Sequence, residues 1–107
     1  MRASLVHASW IVLAAHTTTY AQPMKGDASN GRQFAGFWCS GCHVIEPTAT
    51  PSGRAAPDFS DVAKRRTTNS RKLVKFLYSQ HKTMPNFEIE LDDATDVATY
   101  IMSLRRR

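Results

Sequence analysis

Two cysteines and a histidine stand together as Cys39-Ser40-Gly41-Cys42-His43, and no other segment concentrates as much reactive chemistry. If the segment continues a helix, Cys42 and His43 fall three and four positions after Cys39, so two thiols and an imidazole share one side. That arrangement suits a flat macrocycle. Each thiol can add to one of two vinyl groups as a thioether, and the imidazole beside the second link then lies under a central iron. Ser40 and Gly41 are small and leave the face clear. The motif thus predicts one covalently bound haem c, with Cys39 and Cys42 as its thioether donors and His43 as an iron ligand. Other uses of the same residues fit less well. A disulfide between cysteines three apart would staple no distant parts of the fold. A thioredoxin-like C-x-x-C follows a strand in a βαβ unit, whereas an aromatic helical segment precedes this one. Structural zinc needs four ligands, and beyond these three only His81 offers an obvious nitrogen in the chain after its leader. Two plain structural thiols before a histidine remain the simplest alternative.

The leader is read from the first residues. Met1 and Arg2 form a short positive start, Leu5 to Ala15 an apolar run interrupted by His7, and Thr19-Tyr20-Ala21 a cleavage site before Gln22. Residues 1–21 are therefore expected to be a signal peptide and residues 22–107 the mature domain. The apolar run falls short of the roughly 20 residues that cross a bilayer as a helix, and no transmembrane segment is expected in the mature chain. The whole sequence has 107 residues with net charge +5, enough for one domain. Cleavage would remove a single charge, that of Arg2. The remaining chain is close to the length, about 80 residues, below which a core needs help from a cross-link, metal, cofactor or partner.

Periodicity predicts an all-α frame. A first helix starts at Asp27, a good cap, with Phe34, Phe37 and Trp38 repeating at three and four. Gly31 and Gly36 weaken it as an isolated helix and imply close approach by another element. A second helix is expected over Ser70 to Gln80, carrying Leu73, Val74, Phe76, Leu77 and Tyr78, with Asn69 or Ser70 as cap. A third runs from about Asp92 to Arg106, with acids first and arginines last, as the helix dipole favours. Its apolar stripe is Val97, Tyr100, Ile101 and Leu104. The connection from His43 to Thr68 holds Pro47, Pro51, Gly53 and Pro57, with one short helix at Phe59–Lys64 capped by Ser60. No segment alternates with period two, so strands are not expected. A loop of that length in so small a domain is explained if it wraps a ligand.

With these elements in order, residues 26–105 resemble the class I cytochromes c, specifically the small soluble bacterial monohaem type. The resemblance rests on Gly31 and Phe34 ahead of Cys39-x-x-Cys42-His43, then Ala56-Pro57-Asp58-Phe59, Met84-Pro85 before Phe87, and Tyr100-Ile101 with Leu104. It implies the cytochrome c fold, with N- and C-terminal helices crossing around one haem. It also implies that Met84 is the second axial iron ligand and that the Pro57 carbonyl accepts the Nδ1 hydrogen of His43. His81 is the rival ligand, while Met24 and Met102 are explained by the terminus and by packing. Phe59, Leu73, Phe76, Leu77 and Phe87 are candidates for the haem pocket, and Tyr78, Arg54 and Lys82 for its propionates. The implied function is a periplasmic one-electron carrier, an electron-transfer protein rather than an enzyme. Two alternatives follow from the same family: an electron-accepting subunit of a periplasmic dehydrogenase complex, and a haem sensor or peroxidase-like protein with a displaceable sixth ligand.

Charge is placed unevenly. Lys64, Arg65, Arg66, Arg71, Lys72, Lys75 and Lys82 occur with no acid from 62 to 87, and Glu88 to Asp96 then carries five acids. The basic run is either a solvated helix face or a surface that steers redox protein partners with an acidic docking surface. Nucleic acid is not an expected partner, because basic residues alone do not specify it.

Overall fold

A computed structural model describes residues 25–48, 50–79, 84 and 88–106. The proposed leader at 1–21 lies outside the described residues, as do Gln80, His81, Lys82, Pro85 and Phe87. Four α-helices occur in chain order: α1 (Ala28–Trp38), α2 (Phe59–Lys64), α3 (Ser70–Tyr78) and α4 (Leu91–Ser103), the last running into a 3-10 turn at Leu104–Arg106. No strand occurs among the described residues, and the architecture is all-α.

α1 begins where its cap chemistry dictates. The Asp27 carboxylate accepts the Asn30 backbone N–H at 2.9 Å, while the Asp27 N–H donates to the Asp96 carboxylate of α4 at 2.6 Å. One aspartate thus starts the helix and another fastens it to its neighbour. Gly31 then lies directly on α4, where a Cβ would overlap the backbone at Asp96 and Val97. The buried face of α1 is Gly31 and Ala35, small residues that let two helix backbones approach. The aromatic repeat does not form that face. Phe34 is partly buried against the core, but Phe37 is 78% and Trp38 66% exposed. Close backbone contact at Gly31 leaves no room for large rings between α1 and α4, so the rings lie elsewhere on the helix.

The core is built from Ala35, Phe59, Ala63, Leu73, Val97, Ala98, Tyr100, Ile101 and Leu104. The expected stripe of α4 is all in it. α3 is capped by Asn69, whose side chain accepts the Lys72 N–H at 2.9 Å, and it ends at Tyr78, two residues earlier than its periodicity predicts. There the Ser79 hydroxyl and N–H both turn back to the Phe76 carbonyl. α2 is capped by Asp58 rather than Ser60, which lies inside the helix, buried, with its hydroxyl unpartnered.

The end of α4 does more than complement a dipole. Arg105 donates from Nε to the Ala63 carbonyl at 2.7 Å and from Nη2 to the carbonyls of Arg65 and Thr68 at 3.1 and 2.8 Å. One guanidinium fork thereby satisfies carbonyls at the end of α2 and in the connection to α3.

The two glycines of α1 should respond in opposite ways to alanine. Gly31→Ala forces α1 and α4 apart and should cost about 2 kcal/mol or more of unfolding free energy. The Cβ of Gly36→Ala would meet nothing closer than Ile45 Cδ1 at 3.9 Å, so that variant should gain up to about 1 kcal/mol from helix propensity. Chemical denaturation of both variants reads the contrast.

Candidate functional site

The Cys-x-x-Cys-His segment occupies the turn that follows α1, not the helix itself. Cys39 is the C-cap, and the N–H groups of Cys39 and Ser40 both bond to the Ala35 carbonyl, at 2.8 and 3.0 Å. The chain then tightens: Cys42 N–H reaches the Cys39 carbonyl at 3.2 Å and His43 N–H reaches it at 2.9 Å. The last of these is an i to i−4 bond, so one helical turn's relation between Cys39 and His43 survives beyond the helix end. Gly41 has open space around it, and Ser40 turns its hydroxyl back to the Gly36 carbonyl at 2.6 Å.

The two thiols differ in setting. Cys39 packs against the core and Cys42 is exposed. Burial pushes the Cys39 thiol up to about 11, so at neutral pH it is an uncharged S–H. Both sulfurs are free.

His43 has one ring nitrogen committed. Its Nδ1 lies 2.7 Å from the Pro57 carbonyl oxygen. A carbonyl can only accept, so Nδ1 carries the proton and the lone pair belongs to Nε2. The ring is also held by Phe59, with centroids 5.4 Å apart, and Phe59 in turn meets Tyr100 at 6.5 Å. A second tie joins the same two segments, from Phe59 N–H to the Val44 carbonyl at 3.0 Å. The next residue, Ile45, accepts the Tyr100 hydroxyl at 2.8 Å. An imidazole oriented in this way, with one nitrogen hydrogen-bonded and the other free, is prepared to bind a metal.

A cavity of about 330 Å³ opens beside it. Cys39, His43, Pro57, Phe59, Val62, Leu73, Phe76, Leu77, Ile101 and Met84 line it, together with Arg65, Thr67, Thr68 and Lys72. The lining therefore combines an imidazole, a thiol, a thioether and apolar walls with a polar, cationic edge. An apolar macrocycle carrying a soft iron and anionic substituents matches each of these groups. No cluster of three or more His, Cys, Asp or Glu that could hold a metal ion occurs among the described residues.

Cytochrome c-552 of Bradyrhizobium diazoefficiens is 36% identical to this chain over 95 residues, which cover 89% of this chain and 90% of that protein. The chain belongs to the cytochrome c family. No family model matches it, and no solved structure matches it.

In this cytochrome c, the residues singled out from sequence divide clearly. Cys39, His43, Pro57 and Met84 line one cavity, with Phe59, Leu73, Phe76 and Leu77. Cys42 is exposed and Arg54 and Tyr78 are exposed outside the lining. The cavity's cations are instead Arg65 and Lys72, which composition had merged into one basic run. A signal for Lys72 existed: 72, 73, 76 and 77 share a stripe of α3. None existed for Arg65, because its place depends on the Arg105 bonds across 40 residues.

Asp58 supplies a pH prediction for this cytochrome c. The Ser52 hydroxyl, and then the Ser52 N–H, hold its carboxyl below the usual carboxylate range. A depressed folded pKa stabilises the fold above the unfolded value, near pH ~3.9. That contribution is lost as pH falls through the folded value. Melting temperature against pH should show Asp58→Asn less stable at about pH 6, with the gap closing progressively as pH falls below about 3.9.

Proposed function

We propose that this cytochrome c is an exported one-electron carrier of the class I monohaem type, working in the periplasm. One haem c is attached through Cys39 and Cys42, with His43 and Met84 as axial ligands. The observation that carries this reading is the shared cavity: an imidazole with its Nδ1 proton committed to Pro57 and a methionine thioether line the same apolar space. When bound, the haem supplies an iron that takes up and releases one electron. The chain's residues set the terms. Pro57 makes His43 a stronger donor by accepting the hydrogen bond from its Nδ1–H. Met84 offers a soft thioether, which favours ferrous iron and a higher potential than a second imidazole would. Phe59, Leu73 and Ile101 are buried walls that keep water from the iron. His43 and Met84 would both be taken up in holding the iron and would leave substrate no site there, which supports a carrier over an enzyme or sensor.

Encounter with other redox proteins is assigned to the basic side. Lys64, Arg65, Arg66, Arg71, Lys72 and Lys75 are all exposed, on α2, α3 and their connection, and Arg65 and Lys72 stand at the cavity edge. A partner with an acidic docking surface would be steered toward that edge. No helix among the described residues is long and apolar enough to cross a membrane, and export is assigned to residues 1–21.

Visible spectroscopy of the exported protein tests the reading. The expected result is a haem that acid–acetone does not extract, a near-red sulfur-to-iron band in the ferric state, and little carbon monoxide binding in the ferrous state. Met84→Ala should abolish the near-red band, lower the potential and open the site to carbon monoxide. A wild-type protein without that band would remove Met84 from the iron. Electron-transfer rates to an acidic partner should fall steeply between low salt and about 0.15 M ionic strength, and flat rates would remove the basic surface from docking.

A further inference from the structure

Asp58 occupies the N-cap of α2, where a carboxylate ordinarily accepts an N–H of its own helix, yet it makes no such bond. Its side chain is turned back onto the preceding loop. There it accepts the Ser52 N–H at 2.8 Å and, through a short hydrogen bond, the Ser52 hydroxyl. The residue is 4% exposed, so its charge is largely withdrawn from bulk water. Both hydrogen-bond donors come from Ser52, and the Arg54 guanidinium acts on the carboxylate more weakly, as a nearby charge.

Chain position decides where that charge is felt. The Pro57 carbonyl accepts the hydrogen bond from His43 Nδ1–H, and the Phe59 N–H donates to the Val44 carbonyl. Asp58 is the one residue between these two ties. Its backbone cannot shift without moving the acceptor of His43, and Ser52 clamps its side chain from the other side of the loop.

We propose that Asp58 is a positioning residue for His43: seated by Ser52, it holds the Pro57 carbonyl against the imidazole, and its buried charge biases the iron toward the ferric state. This rests on the assignment of His43 as an iron ligand. Ferric iron carries one more positive charge than ferrous iron, so a nearby anion in a poorly screened environment stabilises the oxidised form. The Ser52 hydroxyl directs the positive end of its dipole at the carboxylate and offsets part of that field. Removing the charge and removing the hydroxyl should therefore move the equilibrium in opposite directions. A part that only braced the loop would behave differently, because either change would slacken the 52–58 segment and the two potentials would move together.

The test uses the holoproteins of Asp58→Asn and Ser52→Ala, each checked first for its covalent haem spectrum and then titrated reductively. Asp58→Asn should raise the ferrous-to-ferric ratio at a fixed ambient potential on the order of fivefold, and Ser52→Ala should lower it roughly twofold. An unchanged ratio in Asp58→Asn with the haem spectrum intact overturns the proposal, and so do shifts of the same sign in both variants. If Asp58→Asn does not accumulate, Ser52→Ala decides alone: a lowered ratio supports the proposal and an unchanged or raised one defeats it. Absence of covalent haem from the wild-type protein is a separate result, which would overturn the haem assignment and this inference with it.

Discussion

The bond between His43 Nδ1 and the Pro57 carbonyl is the constraint on which the other features of the site depend. It joins the turn after α1 to the residue before the cap of α2, two segments that no helix connects. Once it is made, the Phe59 N–H can reach Val44 and the Phe59 ring can lie against the imidazole. Phe59 then carries the constraint inward, because it belongs to the buried core with Tyr100 and Ile101 of α4. Tyr100 returns it to the same loop through its hydroxyl bond to Ile45. The loop is thus pinned by three backbone carbonyls, one backbone N–H and two rings. A proline suits the accepting position, since its fixed φ limits how far that carbonyl can swing.

Core composition explains why such a loop must enclose something. Five of the buried apolar positions, Ala35, Ala63, Ala94, Val97 and Ala98, are small, and α1 and α4 meet at a glycine. Helices packed this closely bury backbone and methyl groups but little aromatic surface. Of the larger residues, Phe59, Leu73 and Ile101 belong to that core and also line the cavity, together with Phe76 and Leu77. Phe76 is still half-exposed, as expected of a wall rather than of a core residue. The apolar area that Phe76 still exposes contributes to stability only when a bound group removes it from water, at roughly 25 cal/mol per Å². A chain of this length can therefore keep its own core small and take the remainder of its stability from the cofactor it holds.

Helix identity was legible in the sequence where local chemistry decides it, and less so where a distant residue does. Asp27 and Asn69 cap their helices by short-range bonds, and the Val97-Tyr100-Ile101-Leu104 stripe is buried as its spacing predicts. The aromatic repeat of α1 misled because periodicity records that rings share a helix, not whether the facing surface has room for them. Gly31 held the better clue to that face. Ser60 was the expected cap of α2 on propensity alone. Asp58 took the position because the tie from Phe59 to Val44 sets where that helix starts. The local relation of Cys39, Cys42 and His43 was legible as well, since they are near neighbours in sequence and their turn is closed by local bonds.

The cations divide by the same logic of local against distant partners. Arg105 is spent on three backbone carbonyls, and those bonds hold the connection that carries Arg65, Thr67 and Thr68 to the cavity. Lys72 is braced from its own side by a 3.0 Å bond to the Thr67 carbonyl. At the positive edge of the cavity Lys72 is thus held by a backbone acceptor rather than by an acid, and Arg65 is held through its own carbonyl. That distinction bears on electron transfer. Cations already neutralised by carboxylates would offer little field to an approaching protein, whereas cations bound to carbonyls keep their full charge. Through the 62 to 87 stretch the sequence has no acid, and for Lys72 the Thr67 carbonyl takes that place. The surface can therefore be ordered and strongly positive at once, which surface ion pairs would not allow.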